Sequence, residues 1–228
     1  MIEAIRAGLA ELADPEKAPD MQAYMKSAMP FYGVQKPARA KLARAVFDAY
    51  PLDGFDAWRD TVLALWREAT YREERYMALA VLQDRRYRAY RTIAALPLYE
   101  ELIVTGAWWD YVDEVACGPL GALLPQVAPV LREWSVCDDM WKRRASIIAQ
   151  VTRKAETDFA LVQACIEPNR ADREFFIRKA IGWALRSYAW VAPDAVVAYC
   201  DTHELAPLSR REALKNVTTR SQVPGVSG

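Results

Sequence analysis

Apolar residues recur at three- and four-residue spacing along almost the whole chain, and that periodicity confines it to helix. Alternating, β-branched-rich stretches of the kind strands need are missing. The expected fold is all-α, with helices near 2–13, 18–28, 37–49, 54–68, 71–91, 95–104, 108–118, 122–134, 138–151, 155–166, 173–190, 194–202 and 207–218. This makes about twelve helices if one adjacent pair merges. Breaks fall at turn chemistry such as Met29-Pro30, Tyr32-Gly33, Asp53-Gly54, Leu96-Pro97, Thr105-Gly106, Pro168-Asn169 and Ala192-Pro193.

Helix pairs of about 35–40 residues with short links are the size of HEAT-type units, which stack because one pair cannot bury its apolar face alone. An antiparallel-paired helical solenoid with a concave surface is the expected architecture, as a single domain over 1–220. The last eight residues, Ser-Gln-Val-Pro-Gly-Val-Ser-Gly, have little to bury and are expected to be a disordered tail.

Composition narrows function mainly by exclusion. No apolar run approaches the roughly 18 residues of a membrane span, and Met1-Ile2-Glu3-Ala4 lacks the order of a signal peptide, so a soluble cytoplasmic protein is expected. His203 is the single histidine, and Cys117, Cys137, Cys165 and Cys200 are far apart. Neither zinc-ligand spacing nor a disulfide framework is visible, so no metal and no cofactor is expected and the cysteines read as buried free thiols. No Gly-rich phosphate loop and no Ser/Cys nucleophile with a histidine base occurs. Net charge is zero, but residues 1–140 hold 21 acidic against 16 basic side chains and residues 141–228 hold 9 against 14. The basic half could present a phosphate-binding face, and 22 of the 30 basic residues are arginine, suited to bidentate phosphate contacts.

Three segments could carry chemistry. A helix beginning near Trp108 puts Trp109 and Asp113, four apart, on one face. Asp110 suits the first turn of that helix, whereas Asp113 lies one turn too deep for a dipole role and is either solvated, paired with an arginine, or functional. In the helix over 173–190, Phe176, Ala180, Ala184 and Tyr188 form the expected core stripe. Phe175, Lys179, Trp183 and Arg186 form a second stripe that either packs a neighbour or tracks phosphates with stacking rings. Gly182 inside this helix hints at close approach by another backbone or a ligand. In the third, Trp141, Ala145 and Ile148 define a buried stripe, and Lys142, Arg143 and Arg144 cover the rest, as a solvated face or as phosphate holders.

Glu101-Leu102-Ile103-Val104, Trp108-Trp109-Asp110 with Val112-Asp113, Phe175-Phe176-Ile177 with Lys179-Ala180-Ile181-Gly182-Trp183, and Leu205-Ala206-Pro207-Leu208-Ser209 form an ordered series. With it, the chain resembles the AlkD-type DNA alkylation repair glycosylases from about Met21 to Lys215. The resemblance implies a HEAT-like solenoid that excises cationic N3- and N7-alkylpurines from duplex DNA without flipping the lesion into a pocket. It implies that Asp113 is catalytic, that Trp109 and Trp183 contact the lesion-bearing deoxyribose, and that Arg144 is a site residue. Tyr24, Gln35, Lys179 and Arg186 become expected DNA contacts, with double-stranded alkylated DNA as partner and a nucleoid-associated monomer as the working form. Rival expectations are a DNA-binding relative without glycosylase activity and a HEAT scaffold for proteins. Exchanging Asp113 for asparagine is expected to spare folding and DNA binding while lowering base release.

Overall fold

The computed structural model describes residues 1–220, with side chains described through 217, and among these residues the secondary structure is entirely helical. The expected disordered tail over 221–228 lies outside the described residues. The chain forms two compact units, Met1–Leu98 and Tyr99 onward, each with its own core.

The first unit holds α1 (Ile2–Glu11), α2 (Ala18–Met25), α3 (Lys36–Ala49), α4 (Phe55–Arg67) and α5 (Arg72–Gln83), and ends inside α6 (Leu96–Gly106). Its core follows from the helical period. Trp58, Val62, Leu65 and Trp66 make one face of α4, and Met77, Ala78, Val81 and Leu82 make the facing side of α5. The Trp58 indole N–H, fully buried, donates to the Val81 carbonyl at 3.2 Å, so the largest ring in this core leaves no polar atom unsatisfied.

The second unit continues with α7 (Trp109–Val115), α8 (Ala128–Trp134), α9 (Met140–Ile148), α10 (Phe159–Ile166), α11 (Phe175–Tyr188), α12 (Pro193–Thr202) and α13 (Pro207–Arg220). Helix α9 is its hub, packing against α7, α8, α10 and α11, while α11 also lies along α13. Trp141, Ala145 and Ile148 are buried, as the spacing predicts. Being packed on two sides widens and rotates the α11 core stripe. Ile177, Ala180, Ile181, Ala184 and Leu185 are buried, and the expected Phe176 and Tyr188 are only half-buried.

Several helices are shorter than expected, each for a local reason. The segment over 71–91 stops at Gln83 because Asp84 turns extended (ψ 137°) and its carboxylate accepts from the Arg86 N–H, starting a separate 3-10 turn over Arg85–Tyr90. The segment over 122–134 begins only at Ala128 because Leu124, preceding Pro125, is extended (ψ 141°). After Val115 the helix widens into a π turn, Ala116–Leu120, that accommodates Pro119, which has no N–H to donate. All four cysteines are free, with Cys165 and Cys200 buried and Cys117 and Cys137 half-buried, which corrects the expectation of four buried thiols. No helix among the described residues is long and apolar enough to cross a membrane.

Candidate active site

Helix α7 starts at Trp109 because Ala107 adopts a left-handed conformation (φ 43°) and Trp108 is extended, ending α6 and redirecting the chain. Trp109 and Asp113 then fall one turn apart on one face, and both are half-buried. Tyr111, Val112 and Val115 take the buried side. Asp110 sits in the first turn, where its charge favours the helix dipole.

Asp113 does not stand in solvent. The Arg144 Nε donates to its Oδ1 and the Arg144 Nη2 to its Oδ2, each at 2.8 Å, a bidentate pair between α7 and α9. The third used nitrogen, Nη1, donates to the Phe176 carbonyl at 2.6 Å, in the first turn of α11. Arg144 is 5% exposed, and the Phe176 ring lies 5.9 Å from its guanidinium carbon. Burial pushes the Asp113 carboxyl above the usual aspartate range, against the pull of Arg144. Both oxygens act as acceptors for the guanidinium, so the group is held as a carboxylate with a fixed plane. The Cys117 thiol, one turn further on, is pushed far up by burial and by the Asp113 charge, which leaves it protonated and unreactive.

The three consecutive cations of α9 do not form a solvated basic face. Lys142 pairs with Glu100 at 2.7 Å, Arg143 with Asp172 at 3.2 Å, and Arg144 with Asp113. Arg143 also donates to the Cys137 and Asp138 carbonyls. Residues about 100° apart on a helix leave in different directions, and here each meets an acid on a different segment. The expectation that Arg144 contacts phosphate meets a buried guanidinium committed to protein acceptors.

Trp183, half-buried on α11, lies on the face carrying Lys179 and Arg186, one turn before and about one turn after it. Both cations converge on Glu212 of α13. Lys179 Nζ lies 3.2 Å from Oε1 and Arg186 Nη1 2.6 Å from Oε2. Burial opposes ionisation of Glu212, but the two cations outweigh it and hold the carboxyl below the usual glutamate range. Gly182 explains how α13 comes so near. A Cβ there would lie 2.5 Å from the Glu212 Cβ and 3.0 Å from the Ser209 carbonyl oxygen. The close neighbour of this glycine is therefore helix α13, through the Glu212 side chain and the Ser209 backbone carbonyl. Buried Ser209 adds a hydrogen bond to the Arg178 carbonyl at 2.9 Å.

Arg144 thus brings Asp113 to the start of the helix that carries Trp183, while Trp109 shares the Asp113 face. Neither Trp109 nor Trp183 stacks on another ring among the described residues, whereas Trp108 is locked edge-on to Phe176 (5.5 Å) and near Trp141 (6.3 Å). The tandem tryptophans therefore divide, one into packing and one toward the Asp113 face. Tyr24 and Gln35 belong to the first unit. Tyr24 is 77% exposed at the end of α2, and Gln35 is exposed at the N-cap of α3. The turn before Gln35 is set by Glu73, fully buried, whose carboxylate accepts from the backbone N–H of Tyr32, Gly33 and Val34 at 3.0, 2.9 and 3.0 Å. Gly33 is left-handed (φ 87°), and a Cβ there would run into the Asp14 carbonyl. Sequence reasoning missed Glu73, Glu212, Glu100 and Asp172, since each looks like an ordinary solvated acid until its partner, 26 to 42 residues away, is known. Among the described residues no three metal-ligating side chains come together.

An all-helical protein with a buried-arginine-braced carboxylate beside an indole is the class these features define. The model of the DNA alkylation repair enzyme family matches residues 5–217, and the chain belongs to that family. It is also similar to the solved structure of a predicted DNA alkylation repair enzyme from Enterococcus faecalis, at 27% identity and TM-score 0.79 over 89% of this chain and 95% of that one. No functionally curated protein matches.

Proposed function

We propose that this protein is a DNA glycosylase that hydrolyses the N-glycosidic bond of cationic N3- and N7-alkylated purines, such as 3-methyladenine and 7-methylguanine, in duplex DNA. The observation that carries this reading is the Asp113 carboxylate, fixed in plane by two 2.8 Å bonds from a buried arginine and sharing a helix face with Trp109. Membership of a DNA alkylation repair family supports alkylated DNA as the substrate.

An N3- or N7-alkylated purine already carries positive charge, so it departs as a neutral base without protonation by a general acid. Positive charge then develops on the sugar. A preoriented carboxylate and the electron-rich faces of Trp109 and Trp183 stabilise that oxocarbenium character. Asp113 also accepts a hydrogen bond from the attacking water or its proton. Arg144 positions the carboxylate rather than touching DNA, and Lys179, Arg186, Tyr24 and Gln35 contact the duplex. With contacts on the deoxyribose rather than around the base, the lesion need not flip into a pocket. No step calls for a metal or cofactor.

The test is a panel of matched duplexes carrying small cationic, bulky cationic and small neutral lesions, followed in single turnovers. Release of 7-methylguanine and 3-methyladenine with retention of uracil and hypoxanthine is expected. Efficient uracil release, or rejection of every bulky cationic adduct, would replace this mechanism with a base-enclosing pocket and a general acid. Binding without any release would leave a non-catalytic DNA-binding protein.

A further inference from the structure

Lys179, Arg186 and Glu212 form a charge cluster that the glycosylase chemistry does not use. The two cations stand on either side of Trp183, with 37% and 26% of their side chains exposed, and the carboxylate lies behind them, with 15% exposed. Each cation spends one hydrogen-bonding direction on Glu212. An ammonium has three N–H groups and a guanidinium five, so both keep donors for phosphate oxygens. Glu212 cannot swing away from them by a shift of its helix, because its Cβ is packed over Gly182 and the neighbouring Ser209 bonds the α11 backbone. The helix that carries the carboxylate is thus held in place, and the carboxylate pairs with two partly exposed cations.

We propose that Glu212 determines how tightly this face holds undamaged DNA, by leaving Lys179 and Arg186 with one net positive charge between them instead of two. The proposal rests on the DNA-repair reading above. Affinity for phosphate is independent of sequence and of damage, so a cation neutralised from within lowers binding to every undamaged site alike. Contacts made by Asp113, Trp109 and Trp183 to a lesion are untouched by that subtraction. Discrimination between damaged and undamaged duplex therefore rises as the background grip falls.

The experiment measures equilibrium binding of the whole chain to an undamaged duplex between about 50 and 200 mM salt. Wild type is compared with Glu212→Gln, which keeps shape and removes charge, and with Glu212→Asp, which keeps charge. Glu212→Gln should bind more tightly, with a log–log salt slope steeper by about 0.9. Its advantage over wild type should then shrink about 3.5-fold across that range, which is the same slope change applied to a fourfold change in salt. Glu212→Asp should keep the wild-type slope. The double variant Lys179→Gln/Glu212→Gln restores one net charge and should also return the wild-type slope, which keeps the proposal testable if Glu212→Gln alone does not fold. An unchanged slope in Glu212→Gln, or a slope shallower by about 0.9 in the double variant, would make Glu212 a helix-packing group and overturn the proposal. A wild type whose duplex binding ignores salt would overturn the DNA-repair reading and this inference together.

Discussion

Replacing Asp113 by asparagine separates the catalytic role proposed for its carboxylate from its structural one. In the proposed mechanism the change removes a preorganised charge from the developing sugar cation, an expected loss of about 2.7–4 kcal/mol or 10²–10³ in the single-turnover rate. Structurally, it leaves the Arg144 guanidinium, 5% exposed, without its counter-charge. Removing one member of a buried pair costs about 3–5 kcal/mol. The lower end applies, because asparagine keeps one oxygen for one guanidinium N–H, the Phe176 carbonyl retains another, and the Asp113 side chain is itself 16% exposed. About 3 kcal/mol in a chain of this size lowers Tm by roughly 6–12 °C. The expectation from sequence that this substitution spares folding is therefore revised. Excision must be measured well below the variant's melting range, beside a thermal melt. The double variant Asp113→Asn/Arg144→Gln should melt higher than the sum of the two singles predicts, since no charge is left buried alone. A folded Asp113→Asn that excises at the wild-type rate would remove Asp113 from catalysis, and an unchanged Tm would show that the Arg144 charge does not need its partner.

Gly182→Ala should destabilise the second unit, because overpacking against the Glu212 Cβ and the Ser209 carbonyl, about 1–3 kcal/mol, outweighs the roughly 1 kcal/mol that alanine gains in helix propensity. A melting temperature raised by this substitution would mean that α13 is not packed as described. Base release should also fall with acid. Burial raises the Asp113 carboxyl above the ordinary aspartate value of 3.8, so the active carboxylate is complete above that raised value and is lost as pH drops through it, earlier than for an exposed aspartate. A pH–rate profile still flat at about pH 4, with folding intact, would contradict this.

What could be read from the sequence is what depends on neighbours in the chain. Helical periodicity is local, so the all-α class follows from it, whereas the expected count of about twelve helices falls short of the thirteen α-helices among the described residues because no adjacent pair merges. The shared face of Trp109 and Asp113 was legible in the same way, as was a close approach at Gly182, whose partner the sequence left open. Helix ends were less legible because they turn on single dihedrals, such as the extended Asp84 and Leu124. Least legible were the partners of charges. Nothing in the run Trp141-Lys142-Arg143-Arg144 distinguishes a solvated basic face from three ties to other segments, because Glu100 and Asp113 on neighbouring helices and Asp172 in the link before α11 are brought to it only by the packing of α9.

That packing also explains why the Asp113 carboxylate, to which catalysis is assigned in the proposed mechanism, can be placed without a rigid local motif. A carboxylate on a seven-residue helix followed by a π turn would have poorly determined orientation if its own helix were its only support. Here the restraint comes from outside the helix. Arg144 is rooted in α9, which has neighbours on several sides, and its guanidinium is planar, so two bonds to Asp113 set both the position and the plane of the carboxylate. The bond to the Phe176 carbonyl then ties that plane to α11, whose next two turns carry Lys179 and Trp183. A lysine at 144 would keep the charge but lose the fork, and in the proposed mechanism the site would retain its attraction for a sugar cation while losing the orientation that makes the attraction available before the bond breaks.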